Sequence, residues 1–270
     1  MRIYRPGIWS LNPYLNDSNP TNISQGNSHL DSEKSHSFNL SYSNFTQKFN
    51  INLSARYSFT NNSIEQVTEQ VKDTEIEGLQ NPTGKEVLYS TYQNIGKSRN
   101  ASLSGYVNWN ATSNTRIYAN LYGNYTYMEG ANGLKNDGWN LFAYGGAQQS
   151  LPHDWRISLN IYGQTPWIML QGKGSSFFDY GLSVNKSFLN KRLTLSAFAS
   201  NFFKKYTSPT SSIEGVGFTQ DSWNRYTRQR FGVSVSYRIG ELKASVKKAA
   251  RTISNDDVKG GGGEGGGGGE

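Results

Sequence analysis

The chain has no cysteine, only three histidines, and no uninterrupted apolar run of 18 residues. Without cysteine there is no disulfide framework, no thiolate metal site and no cysteine nucleophile. Without a long apolar run no helix of this sequence can span a bilayer, although strands of alternating polarity escape that limit. Apolar residues make up 35% of the 270 positions, fewer than a soluble domain of this size usually carries. Met1 to Pro6 contains no apolar core of the kind a signal peptide needs.

What is present is aromatic and polar. Phe, Trp and Tyr account for 13% of the chain, against 17% charged residues. That suits strands with one face toward water and the other toward lipid, and it also suits an ordinary antiparallel sheet protein. The order of residues goes further. From Thr115 to Tyr127, Ile117, Ala119, Leu121, Gly123, Tyr125 and Tyr127 alternate with Arg116, Tyr118, Asn120, Tyr122, Asn124 and Thr126. A period of two is a strand. Its apolar side with a charged and amide-bearing opposite side predicts a wall greasy outside and wet inside.

The same alternation recurs at Phe38 to Tyr42, Phe49 to Phe59, Ala101 to Trp109, Trp139 to Ala147, Trp155 to Trp167, Phe178 to Phe188, Leu193 to Phe203 and Phe231 to Ile239. Nine strands are predicted, with residues 1 to 9 as the top of an earlier one. Short turns near Asn44, Thr112, His153 and Asn190 alternate with longer connections at 61 to 86, 128 to 137, 169 to 175 and 204 to 220. Outer-membrane barrels show that asymmetry, with short periplasmic turns and longer extracellular loops. Turn signals at 112, 152 and 190 recur roughly every 40 residues, wider than the ~8 to 12 of a soluble sandwich. Trp109, Trp155 and Phe188 lie beside short turns, and Tyr127, Trp139, Trp167 and Phe178 beside long loops, as two interfacial girdles would require.

The expected fold is therefore all-β, an antiparallel up-and-down transmembrane β-barrel. Single-chain bacterial barrels have an even strand number and no open edge in lipid. About nine or ten strands are thus expected to be the C-terminal portion of a larger barrel, exported from a longer precursor. Residues 1–35, which hold Pro6, Pro13 and Pro20, read as an extracellular loop segment. Residues 36–240 read as membrane strands, and residues 241–270 as a disordered periplasmic tail ending in nine Gly and two Glu.

The net charge of +7 resides in the first 240 residues, because the tail carries five basic and five acidic groups. The basic residues are scattered and form no patch interleaved with a recognition motif, so no nucleic-acid partner is expected. His29, His36 and His153 have no metal-ligand spacing, so no metal is expected. Gly172 to Ser175 and Thr83 to Lys85 lack the glycine spacing of a phosphate loop. Glu65, Glu69, Asp73, Glu75 and Glu77 cluster in one loop as a solvated face or a lipopolysaccharide contact. No catalytic constellation is identifiable, and neither an enzyme activity nor a cofactor is expected. Arg56, Arg116, Arg156, Asp179 and Arg238 lie on polar faces and are candidate lumen residues. Loops containing Trp139, Tyr206, Phe218 and Trp223 are candidate places for extracellular ligand contact.

Arg5-Pro6, Leu11-Asn12-Pro13-Tyr14, Gly26-Asn27, Leu30 and Glu33, with the closing run Phe231 to Gly240, resemble segments of TonB-dependent outer-membrane receptors of the Bacteroidetes-type outer membrane protein beta-barrel group. Ser28 and Ser32 stand where that pattern has prolines. The resemblance implies energised uptake of a large nutrient such as a metal chelate, glycan or peptide. It also implies outer-membrane lipid, an N-terminal plug, the TonB complex and a surface lipoprotein as partners. A non-transporting outer-membrane barrel used for structure or adhesion is the alternative, and a soluble sugar-binding sheet protein a third.

Overall fold

A computed structural model of the chain describes residues 1–130 and 133–240. The tail from Glu241 lies outside the described residues, so the expectation of a disordered periplasmic segment has no structural counterpart here. Met1–Tyr237 form one compact unit. In chain order its strands are β1 (Arg2–Tyr4), β2 (Asn22–Ser24), β3 (Glu33–Phe45), β4 (Phe49–Asn61), β5 (Ile64–Lys72) and β6 (Glu86–Asn94). Next come β7 (Lys97–Asn110), β8 (Thr115–Glu129), β9 (Lys135–Leu151), β10 (Trp155–Gln164), β11 (Ile168–Met169), β12 (Gly172–Lys173) and β13 (Phe177–Phe188). The last six are β14 (Leu193–Ser200), β15 (Tyr206–Thr207), β16 (Thr210–Gly215), β17 (Phe218–Trp223), β18 (Tyr226–Thr227) and β19 (Arg230–Tyr237). A short helix, Ile8–Leu11, follows β1.

Ten strands form one antiparallel sheet in the order β1-β3-β4-β7-β8-β9-β10-β13-β14-β19. The nine long strands read from alternation are all in it, and the expected earlier strand is the three-residue β1. Sequence neighbours pair in space, as in an up-and-down wall. Among the described residues β1 and β19 are the two ends of this sheet and do not pair with each other. The short turns lie at one end. At 152–154, His153 and Asp154 take φ of 60° and 59°, the left-handed conformation that matches a tight hairpin to strand twist. The first turn falls at 46–48, because Ser43, Asn44 and Phe45 remain paired with Asn52, Ile51 and Asn50; the turn expected at Asn44 is displaced accordingly.

The long connections at the other end are more ordered than the sequence reading allowed. Residues 61–86, read as a polar loop, instead carry β5 and the approach to β6, which join β2 in a three-stranded sheet. In β5 the apolar residues Ile64, Val67 and Val71 are spaced like a helix face, which hides the strand. Pairing with β6, from Ile64 opposite Asn94 to Lys72 opposite Glu86, imposes it. The connection expected over 204 to 220 contains β15 and the β16–β17 hairpin, part of a four-stranded sheet ordered β11-β12-β16-β17. The connection expected over 128 to 137 shrinks because β8 runs to Glu129 and β9 begins at Lys135. Residues 1–35 are mostly irregular but contribute β2, which pairs in parallel with β6.

These small sheets hold the buried apolar clusters. Ile23, Ile76 and Val87 form one, with Leu15 and Leu79 against it. Val67, Ile95 and Leu170 form the other. Asp73, 5% exposed, organises the β5–β6 connection by accepting from the Thr83 hydroxyl and amide at 2.7 Å and from the Gly84 amide at 2.6 Å. The Thr83 hydroxyl, with those amides, holds its carboxyl below the ordinary value of 3.8. A lowered carboxylate pKa favours the folded loop above the ordinary value and is lost as pH falls through the lowered one. Protection of the amides across 73–85, relative to the intrinsic exchange rate, should therefore fall below about pH 4, and Asp73→Ala should lower it in the same way at neutral pH. Unchanged exchange in Asp73→Ala would refute the role.

Candidate functional site

Directly opposed residues of neighbouring strands share a side of the wall. Leu121 stands opposite Gly105 and Ala143, and Leu159 opposite Ala147 and Leu182. On the other side Asn120 stands opposite Tyr106 and Tyr144, and Arg56 opposite Asn39 and Ser102. The apolar side exposes large residues along its length, including Leu40, Leu103, Leu121, Leu141 and Val233. Few faces of a soluble protein leave such a surface bare.

The polar side carries a connected string of aromatic and charged groups. Arg116 donates to Asn108 Oδ1 at 2.5 Å and lies 5.7 Å from the Tyr118 ring centroid. Tyr118 reaches across β9 and its hydroxyl donates to Asn160, two strands away. Gly146 makes this possible: a Cβ there would stand closer than 3.0 Å to the Tyr118 hydroxyl and to the Leu159 carbonyl. Tyr118 packs beside Tyr144 at 5.8 Å, Tyr144 meets Tyr162 at 6.3 Å, and Tyr162 contacts Phe177 at 4.8 Å. Phe142 meets Tyr162 edge-on at 5.2 Å. Such tilted arrangements suit the ring quadrupoles.

The string ends at an ion pair. Arg228, just before β19, binds the Asp179 carboxylate and lies 5.7 Å from the Phe177 centroid and 5.5 Å from that of Tyr226. Asn201 donates to the other carboxylate oxygen at 2.7 Å. These groups border an open hollow of about 520 Å³ lined by Asn160, Tyr162, Asp179, Asn201, Arg228 and Arg230. Aromatic faces with fixed charges and amides can hold an extended polar ligand or a polypeptide surface.

The sequence model of the outer membrane protein beta-barrel family matches residues 1–237. The chain belongs to that family. No curated protein matches it. As an outer membrane protein beta-barrel chain it resides in the bacterial outer membrane. Its apolar side is the lipid-facing side, and the side of the tyrosine string is the lumen.

Within this outer membrane protein beta-barrel the candidate residues separate. Arg56, Arg116, Arg156 and Asp179 occupy the polar side, with Arg156 opposite Ser150 and Asn185. The three arginines are spread over β4, β8 and β10, and among the described residues Asp179 alone of the four enters an ion pair. Arg238 lies one residue past the end of β19, outside the strand in which the sequence pattern had placed it. Trp139 needs a second correction: it stands in β9 opposite Tyr125, with ring centroids 5.5 Å apart, on the lipid-facing side and not in a loop. Tyr206 lies in β15 beneath the Arg225 guanidinium at 4.3 Å. Trp223 ends β17 exposed, and Phe218 opens β17 at the hairpin tip opposite Gly215. Sequence reasoning missed Arg228 and the tyrosine string. The available signal was Tyr118, Tyr144 and Tyr162 recurring at positions otherwise polar.

Proposed function

We propose that this chain is the C-terminal barrel portion of a Bacteroidetes-type TonB-dependent receptor that imports a large nutrient such as a metal chelate, glycan or peptide. The observation that carries the reading is the lumen side itself. Its aromatic string and the Asp179–Arg228 pair form a cross-linked polar surface, suited to contact an N-terminal plug or a ligand in transit. The small extracellular sheets support it, since a passive scaffold has no need to order its long connections. The role is transport and not catalysis. A plug, the TonB complex and a surface lipoprotein are its proposed partners, and the loops bearing Tyr206, Phe218 and Trp223 its proposed first ligand contacts.

Uptake tests it. Cells carrying the protein with Arg228→Ala should grow at least tenfold more slowly on whichever ferric chelate, glycan or peptide the parent imports in a TonB-dependent manner. They should retain normal amounts of protein in the outer membrane. Parental growth that is independent of TonB on every such source would defeat the transport reading.

A further inference from the structure

The lipid-facing side changes character abruptly at its extracellular end. One row across the strands reads Phe38, Tyr57, Ala101, Tyr125, Trp139, each opposite the next. It lies eight residues above Ile117, or ~26 Å along the strand at ~3.3 Å per residue, which tilt reduces to about the height of the apolar band. This row is thus the outer-leaflet girdle. Directly above it comes a row of His36, Phe59, Arg99, Tyr127 and Asp137, and above that Lys34, Asn61, Lys97, Glu129 and Lys135.

Four cations, Lys34, Lys97, Arg99 and Lys135, therefore point toward lipid headgroups, against two carboxylates. Both carboxylates are engaged. Asp137 accepts from the Tyr125 hydroxyl at 2.6 Å. Glu129 accepts from the Tyr127 hydroxyl at 3.1 Å and lies 3.5 Å from Lys135 and 4.0 Å from Lys97. The Arg99 side chain has no hydrogen bond or ion pair among the described residues. It sits between two hollows of about 310 and 370 Å³, one walled by Tyr57, Tyr125, Tyr127 and the lysine-paired Glu129 and the other reaching Lys97. An unpaired guanidinium at this level, beside aromatic walls and further cations, offers forked donors that match a phosphate.

We propose that Arg99, with Lys97 and Lys135, forms an outward-facing site for the phosphate of an outer-leaflet phosphorylated glycolipid, the sugar and first acyl carbons packing on Tyr57 and Tyr125. The site faces lipid and stands apart from the lumen, so it does not depend on the transport reading.

Titrating the full-length protein that contains this barrel portion, folded in neutral detergent, with bisphosphorylated lipid A tests this. The intact chain should bind it at least tenfold more tightly than the dephosphorylated lipid. The double variant Lys97→Gln/Arg99→Gln should lose that preference, Arg99→Lys should keep part of it, and Lys186→Gln, a lipid-facing cation between Trp155 and Phe188 at the opposite rim, should not alter it. Heat-modifiable mobility on a gel checks that each variant is folded, and the single variant Arg99→Gln replaces the double if the latter is not. Equal binding of the dephosphorylated lipid, or an undiminished preference in the folded variant, would overturn the site. Inorganic pyrophosphate binding as tightly as the lipid would overturn the assignment to a glycolipid.

Discussion

Leu121→Arg should lower the stability of the wall in a bilayer by about 2–4 kcal/mol, as for a cation at the midplane of a lipid-facing strand. Leu121 is 56% exposed on its face, flanked by Gly105 and Ala143. Nothing nearby could pair with or hydrate a guanidinium there. The adjacent change, Asn120→Arg, places the same charge in the lumen between Tyr106 and Tyr144, where water reaches it, and should cost under about 1 kcal/mol. Denaturant titration of both variants, made in the full-length protein and folded into vesicles, makes the comparison. Since the two positions are neighbours in one strand, they share the same backbone setting and depth, and the two variants differ in facing and in the residue removed. Equal losses would mean that the sides have been assigned wrongly.

The second large effect belongs to the small sheets at the long-connection end of the wall. Gln171 accepts from the Thr68 amide at 2.7 Å and donates to the Thr68 carbonyl at 2.8 Å. Both residues are buried, and the pair bridges the connection after β11 to the middle of β5. Gln171→Ala leaves a buried amide and a buried carbonyl without partners, each costing about 1–3 kcal/mol, so a local loss of about 2–4 kcal/mol is expected. Because the wall has its own ladder of strand pairs, the loss should be confined. Exchange should accelerate in β5, β6 and β16 and stay unchanged in β8 and β9, and protease should cut the small sheets first. Uniform acceleration would show that these sheets and the wall unfold as one unit.

Strands with one lipid face were legible because alternation is a local property. Leu159 and Asn160 declare their sides whatever lies around them, since successive Cβ atoms point to opposite faces. The short turns were legible too, where His153 and Asn190 take left-handed backbone that their side chains tolerate. β5 was not, because its apolar spacing mimics a helix and only β6 makes it a strand. Trp139 read both as the head of a strand in the girdle and as a loop contact, and its register opposite Tyr125 keeps it in the strand and the girdle.

The candidate site was half legible. Asp179 stood out as a charge on a polar face, yet its partner Arg228 is 49 residues away and lies outside any strand pattern. Tyr118, Tyr144 and Tyr162 read individually as polar-face aromatics, and their contact depends on strand register and on the gap at Gly146.

The amino-acid order by itself determined which side chains meet lipid and which meet water, because a strand's period needs no tertiary information. It therefore determined the class of fold and the outer-membrane setting. Register and strand pairing decided the rest: which residues from distant segments stand abreast, that the long connections fold into sheets, and that cations gather above the girdle. Those facts depend on how far one strand slides against its neighbour. A pattern that repeats every two residues reads the same at every such offset.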